Sequence, residues 1–93
     1  MDKHRLRRAI LDAVQDMEPG PTTVDDLQAF PLLAMAAVQR EAILAACTGL
    51  VEHGFLRNMR PTREPLYRLE AAGRDQINRD AELSEYVWGE LAF

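Results

Sequence analysis

Arg57, Arg60, Arg63 and Arg68 fall within a short stretch with only Glu64 against them, a local charge of +3. Guanidinium groups at this density bind phosphate oxygens, and an arginine on a projecting turn can also enter a minor groove. Lys3, Arg5, Arg7 and Arg8 form a second basic cluster near the start. The chain as a whole is acidic, with 11 basic against 15 acidic residues and a formal net charge of −4. That balance is uneven: residues 1–68 carry nine of each sign, and residues 69–93 carry two basic and six acidic, so the acidity belongs to the C-terminal stretch. A polyanion responds to the local face as well as the sum, so duplex nucleic acid is a candidate partner.

Other chemistry finds little support. His4 and His53 lie far apart, with no Cys or carboxylate at ligand spacing, so no metal site and no cofactor are expected. Asp25 and Asp26 are adjacent, which on a helix points them about 100° apart; the pair reads as charge favouring a helix start, not as an acid–base couple. His53 beside Gly54 suits a helix end in the same way. No glycine-rich phosphate loop occurs, and no nucleophile, base and oxyanion donor converge, so an enzyme is not expected. Cys47 among Ala46, Leu50 and Val51 reads as a buried thiol.

At 93 residues the chain makes one domain with a modest core. It holds no apolar run near the roughly 20 residues a membrane span requires, and no signal-peptide core follows Met1, so a cytoplasmic location is expected.

The elements that must position the arginines can be read from proline and glycine punctuation. Leu6, Ile10, Ala13, Val14 and Met17 recur at helical spacing, giving a first amphipathic helix over residues 3–17. Pro19, Gly20 and Pro21 end it; Thr22 and Thr23 then offer a short strand and a cap for a second helix over residues 24–30. Pro31 tightens or interrupts the connection after it. A third helix should run over residues 39–53, with Gln39 at its cap, Val38 stapled to Ile43, a buried face of Ile43, Cys47, Leu50 and Val51, and Gly54 as terminator. Residues 55–59 and 66–69 then form a hairpin around a turn with two prolines, which suits an exposed, stiffened loop tip.

A fourth helix is expected over residues 71–91, where Ile77, Ala81, Ser84, Trp88 and Leu91 form a heptad-like stripe. The expected architecture is α+β and mainly helical: a three-helix core, a two- to three-stranded wing and a C-terminal helix. Leu6, Ile10, Val14, Leu27, Ile43, Cys47, Leu50, Phe55 and Leu69 should make the core. Residues 1–75 form the winged-helix domain and residues 76–93 a possible dimerisation element.

The segment L-V-E-H-G-F-L-R at residues 50–57 resembles the end of the third helix and the first wing strand of bacterial winged helix-turn-helix regulators. The segment L-Y-R-L-E-A-A-G-R-D at residues 66–75 resembles the second wing strand running into the terminal helix, as in repressors of the PadR and MarR kind. The resemblance implies a transcriptional regulator whose third helix lies in the major groove and whose wing lies along the backbone. By position, the groove-facing residues are then Arg40, Glu41, Leu44, Ala45 and Thr48. Base edges need donors and acceptors, and this surface offers chiefly Arg40, with Gln39 at its start; Leu44 and Ala45 can touch only a thymine methyl. The connection over residues 30–39 is also longer than the compact turn of a typical helix-turn-helix.

Two functions are therefore expected to compete. In the first, a homodimer binds duplex DNA through Gln39, Arg40, Thr48, Arg57, Arg60 and Arg63. In the second, the same module docks on a protein partner through Leu44, Ala45 and the Tyr86-Val87-Trp88 segment. The dimer would form through Ile77, Trp88 and Leu91, flanked by Tyr86 and Val87, because a chain this short has little core left to bury them. The alternative is that this helix folds back on the first.

Overall fold

The N-terminal helix α1, Lys3–Asp16, starts where Asp2 accepts the Arg5 backbone N–H at 2.9 Å. This cap satisfies one of the donors that every helix start leaves open. A computed structural model describes residues 1–82 of the chain. In it α1 buries Leu6, Ala9, Ile10, Leu11, Ala13 and Val14, an arc wider than a single stripe because α1 packs against the helix at Arg40–Glu52, the helix at Ala71–Glu82 and the sheet. Met17, expected on the buried face, is instead 43 % exposed: it is the C-cap, already past the last helical turn.

Thr22 and Thr23 serve both expected purposes. They form β1, Thr22–Thr23, and Thr23 caps α2, Val24–Ala29. The Thr23 hydroxyl accepts the Asp26 N–H at 3.1 Å and the Asp26 carboxylate accepts the Thr23 N–H at 3.0 Å, a reciprocal capping box.

The connection to the third expected helix contains an element that the sequence pattern does not announce. Pro31 does not interrupt; it sits in the first turn of a short helix α3, Pro31–Met35. Its fixed φ and missing N–H cost nothing there. The helix closes with the Val38 N–H donating to the Leu33 carbonyl at 3.3 Å and the Ala37 N–H to the Ala34 carbonyl at 3.1 Å. Such a closure needs a left-handed residue, and here it is Ala37, at φ 52°. An alanine in that region is disfavoured by its Cβ. Ala37→Gly should therefore stabilise the fold by about 0.5–1 kcal/mol, the strain relieved less the extra chain entropy of glycine. A chemical denaturation midpoint that fell in the variant would contradict this.

Helix α4, Arg40–Glu52, buries Ile43, Ala46, Cys47 and Leu50, with Gln39 in the cap position but making no side-chain cap bond. Its end repeats the α3 closure with the residue type suited to it: Gly54 at φ 78° lets the Phe55 N–H reach the Leu50 carbonyl at 2.9 Å. The chain then enters β2, Leu56–Asn58, and returns as β3, Leu66–Leu69. The three strands form an antiparallel sheet in the order β1-β3-β2, with Leu56 opposite Leu69, Arg57 opposite Arg68 and Asn58 opposite Tyr67. The two-residue side alternation puts Leu56 and Tyr67 into the core and Arg57 and Arg68 into solvent.

The core joins α1, α2, α3, α4 and the inner face of the sheet. All seven helical residues expected there are buried, while Phe55 and Leu69 are half-buried and pack against the others. Leu11, Val24, Leu33, Leu56 and Tyr67 join them, with Ala9, Ala13 and Ala46. Cys47 is buried among them beside Tyr67; desolvation pushes the thiol pKa up to about 12, so at neutral pH Cys47 is a protonated core residue. The last described element is α5, Ala71–Glu82. Ile77 packs half-buried against the same core, and Tyr86, Val87, Trp88 and Leu91 lie outside the described residues.

Candidate nucleic-acid interface

The turn between β2 and β3 carries Arg60 and Arg63, with Arg57 and Arg68 in the strands that flank it, and short hydrogen bonds hold it in shape. The Met59 N–H donates to the Leu66 carbonyl at 2.7 Å. The Asn58 side-chain oxygen accepts the Arg60 N–H at 2.9 Å and the Leu66 N–H at 3.3 Å, so one residue ties both ends of the turn. Asn58 is expected from the sequence only as a strand residue; asparagine at the mouth of a proline-containing turn is the signal that identifies its second role.

Arg57, Arg60 and Arg63 are exposed, and among the described residues none of them forms an ion pair. Arg68 is different. It stands directly opposite Arg57 on the solvent face of the sheet, and like charges in that relation repel. Its guanidinium is drawn to the loop after α1, where it donates to the Pro19 carbonyl at 3.0 Å. Beside it Arg74 of α5 makes two bonds to Glu18, at 2.9 and 2.7 Å, which hold the Glu18 carboxyl below its ordinary range. The wing arginines thus separate into an open set, Arg57, Arg60 and Arg63, and one committed to the fold.

Arg40, the main candidate reader on the helix, is committed too. Its Nη1 donates to Asp25 at 2.8 Å and, at 3.4 Å, to the Gln28 side-chain oxygen; its Nη2 donates to Glu64 at 2.9 Å. These carboxylates raise the Arg40 pKa, Glu64 first and Asp25 second. Asp25 and Glu64 lie 15 and 24 residues away in sequence, and no local pattern brings them together.

The rest of the outward face of α4 is sparse. Glu41, Ala42, Ala45, Thr48 and Glu52 are exposed, and Leu44 is half-buried against the core. Thr48 donates its hydroxyl to the Leu44 carbonyl at 3.0 Å, leaving its oxygen lone pairs as the polar offering. Gln39 is exposed at the helix start. The N-terminal basic cluster divides around α1: Lys3 and Arg7 line a cleft beside Ala42, Ala45 and Ala46 of α4, whereas Arg5 and Arg8 line another beside Leu32 of α3. Lys3 and Arg7 are therefore the members placed near the outward face of α4.

Among the described residues no helix is long and apolar enough to cross a membrane, and no three metal-ligating side chains gather. No protein-family model and no curated protein matches the chain. A solved structure of BpsR from Bordetella bronchiseptica, described for regulation of its DNA binding by 6-hydroxynicotinic acid, is similar in fold, with a TM-score of 0.67 over 91 % of this chain at 16 % identity. The chain spans about half of that structure's length, 54 %. The likeness gives the fold alone: mainly helical α+β, with a three-stranded antiparallel sheet, of the winged-helix type.

Proposed function

We propose that the protein is a small winged-helix transcriptional regulator that binds duplex DNA through its wing. The observation that carries the reading is the open set of Arg60 and Arg63 on an exposed, internally pinned turn with Arg57 in the strand beside it. Three guanidinium groups without carboxylate partners among the described residues favour a polyanion, and phosphate contacts supply sequence-independent affinity and register. The likeness in fold to BpsR, a protein whose DNA binding is described, points the same way. Gln39 and Thr48 complete the surface at the start and outward face of α4, beside Arg40, whose guanidinium is held by Asp25 and Glu64. The sequence stripe of Ile77, Trp88 and Leu91, with Tyr86 and Val87, supports pairing of two copies through residues 76–93, which would set two wings on one duplex.

A second reading has its own observation. The outward face of α4, with Glu41, Ala42, Ala45 and Glu52, offers carboxylates and methyl groups where base readout needs donors. It fits a module that docks on protein. Fluorescence anisotropy of a labelled random duplex separates the two. Binding at about 50 mM salt that weakens steeply toward about 200 mM is expected, since released counterions dominate such affinity. No binding at the lower salt would favour the protein-contact reading.

A further inference from the structure

Arg40 joins three points that the chain keeps far apart: the first turn of α2 at Asp25, the first turn of α4 at its own position, and the wing turn at Glu64. Its side chain is 38 % exposed, against 50 % for Glu64 and 75 % for Asp25, so the guanidinium is the most enclosed member of the group. Both terminal nitrogens are already engaged by carboxylates at 2.8 and 2.9 Å. With the Gln28 bond, three of its five N–H donors are taken, and a base edge or phosphate would find only Nε and one Nη2 hydrogen left. The strands behind the wing are short, three residues in β2 and four in β3, and their hydrogen bonds fix the turn's own shape more than its tilt against the helices. The Arg40–Glu64 bond acts on that tilt. It also masks the carboxylate that sits next to Arg63 and would otherwise oppose an approaching phosphate.

We propose that Arg40 is a positioning residue: through Glu64 it holds the wing turn against the starts of α2 and α4, and so presents Arg60 and Arg63 to a duplex, instead of reading a base itself. The inference rests on the reading of the wing as a DNA contact, and it assigns Asp25 and Gln28 the task of orienting the Arg40 guanidinium from the helix side. Exposed ion pairs are individually weak, but a shared arginine bridging two carboxylates limits two motions at once.

The test is a double-mutant cycle read in two ways. By NMR hydrogen exchange, Arg40→Gln and Glu64→Gln should each speed exchange at the Met59, Arg60 and Leu66 amides about threefold, the scale of one exposed ion pair, and the double variant should add nothing further. By anisotropy, Arg40→Gln should lower duplex affinity a few-fold while the dependence of log affinity on log salt stays within about half a unit of wild type, because no phosphate contact is lost. Unchanged wing exchange in either single variant, or effects that add in the double, would overturn the bridge. A slope reduced by about 0.9 with wing exchange unchanged would make Arg40 a direct phosphate contact and overturn the proposal. Lack of duplex binding by the wild type would overturn the DNA reading separately, while the exchange cycle still decides whether Arg40 holds the wing.

Discussion

Gly73→Ala should destabilise the protein by about 2–3 kcal/mol and lower its melting midpoint by roughly 10–20 °C, the scale of a steric insertion into a packed site in a domain of this size. In an ordinary helix the same change is favourable, by up to about 1 kcal/mol. The sign reverses here because a Cβ on Gly73 would lie 2.3 Å from the Phe55 carbonyl oxygen and 2.8 Å from Leu69 Cδ1. The leucine can rotate away. The carbonyl cannot, since it accepts the Glu70 N–H at 3.0 Å, and the Phe55 N–H is itself bonded to the Leu50 carbonyl at 2.9 Å. The start of α5 must therefore shift off the α4–β2 junction. Gly49 in α4 provides the control: a Cβ there meets nothing within 4 Å, so Gly49→Ala should stabilise by roughly 0.5–1 kcal/mol. Urea denaturation of the two variants checks the pair. A Gly73→Ala protein as stable as wild type would mean that α5 does not pack on that turn as described.

Gly73 also shows what is legible in the sequence and what is not. Elements with chemical punctuation are readable: β3 spans the expected residues 66–69, α1 ends one residue before its expected limit, and Gly54 terminates α4 with the positive φ that glycine permits. The threonine cap of α2 is readable by residue type, and the structure adds the reciprocal bond from Asp26, expected only as charge at the helix start. The short helix α3 is not readable, since Pro31 can end one helix or begin another, and the left-handed turn after it falls on Ala37, a residue type that does not advertise one. Gly73 looks like an ordinary helical glycine; the close approach of Phe55 is a tertiary fact.

The candidate site divides along the same line. The charge cluster can be located because charge is a property of residue type. Its sorting cannot, because Arg40 meets carboxylates 15 and 24 residues away and Arg68 meets a carbonyl 49 residues away, separations that carry no periodicity. A run of arginines is therefore only an upper bound on the charge available to a ligand. Ion pairing takes Arg40 out, and the Pro19 carbonyl holds the still-charged Arg68 guanidinium away from the open set of Arg57, Arg60 and Arg63.

That sorting makes the binding prediction specific. Combined Arg60→Ala and Arg63→Ala substitution should weaken duplex affinity about 100-fold at roughly 50 mM salt and reduce the slope of log affinity against log salt by about 1.8. Each phosphate contact releases close to one counterion, so at that salt each lost contact costs about tenfold, and the loss of contacts to two separate phosphates adds in the exponent. The loss should be nearly the same on unrelated sequences, because phosphates carry no base identity. Arg68→Ala offers the contrast. Its guanidinium is bound to the Pro19 carbonyl, so its removal should leave the slope within about half a unit of wild type. Both wing arginines are exposed, and neither makes an ion pair among the described residues, so the double variant should keep the wild-type melting midpoint and report on binding alone. Anisotropy titrations from about 50 to 200 mM salt on two unrelated duplexes measure all of this. Equal slopes for the double variant and wild type would remove the wing from the interface, and a loss confined to one sequence would move these arginines from backbone contact to base readout.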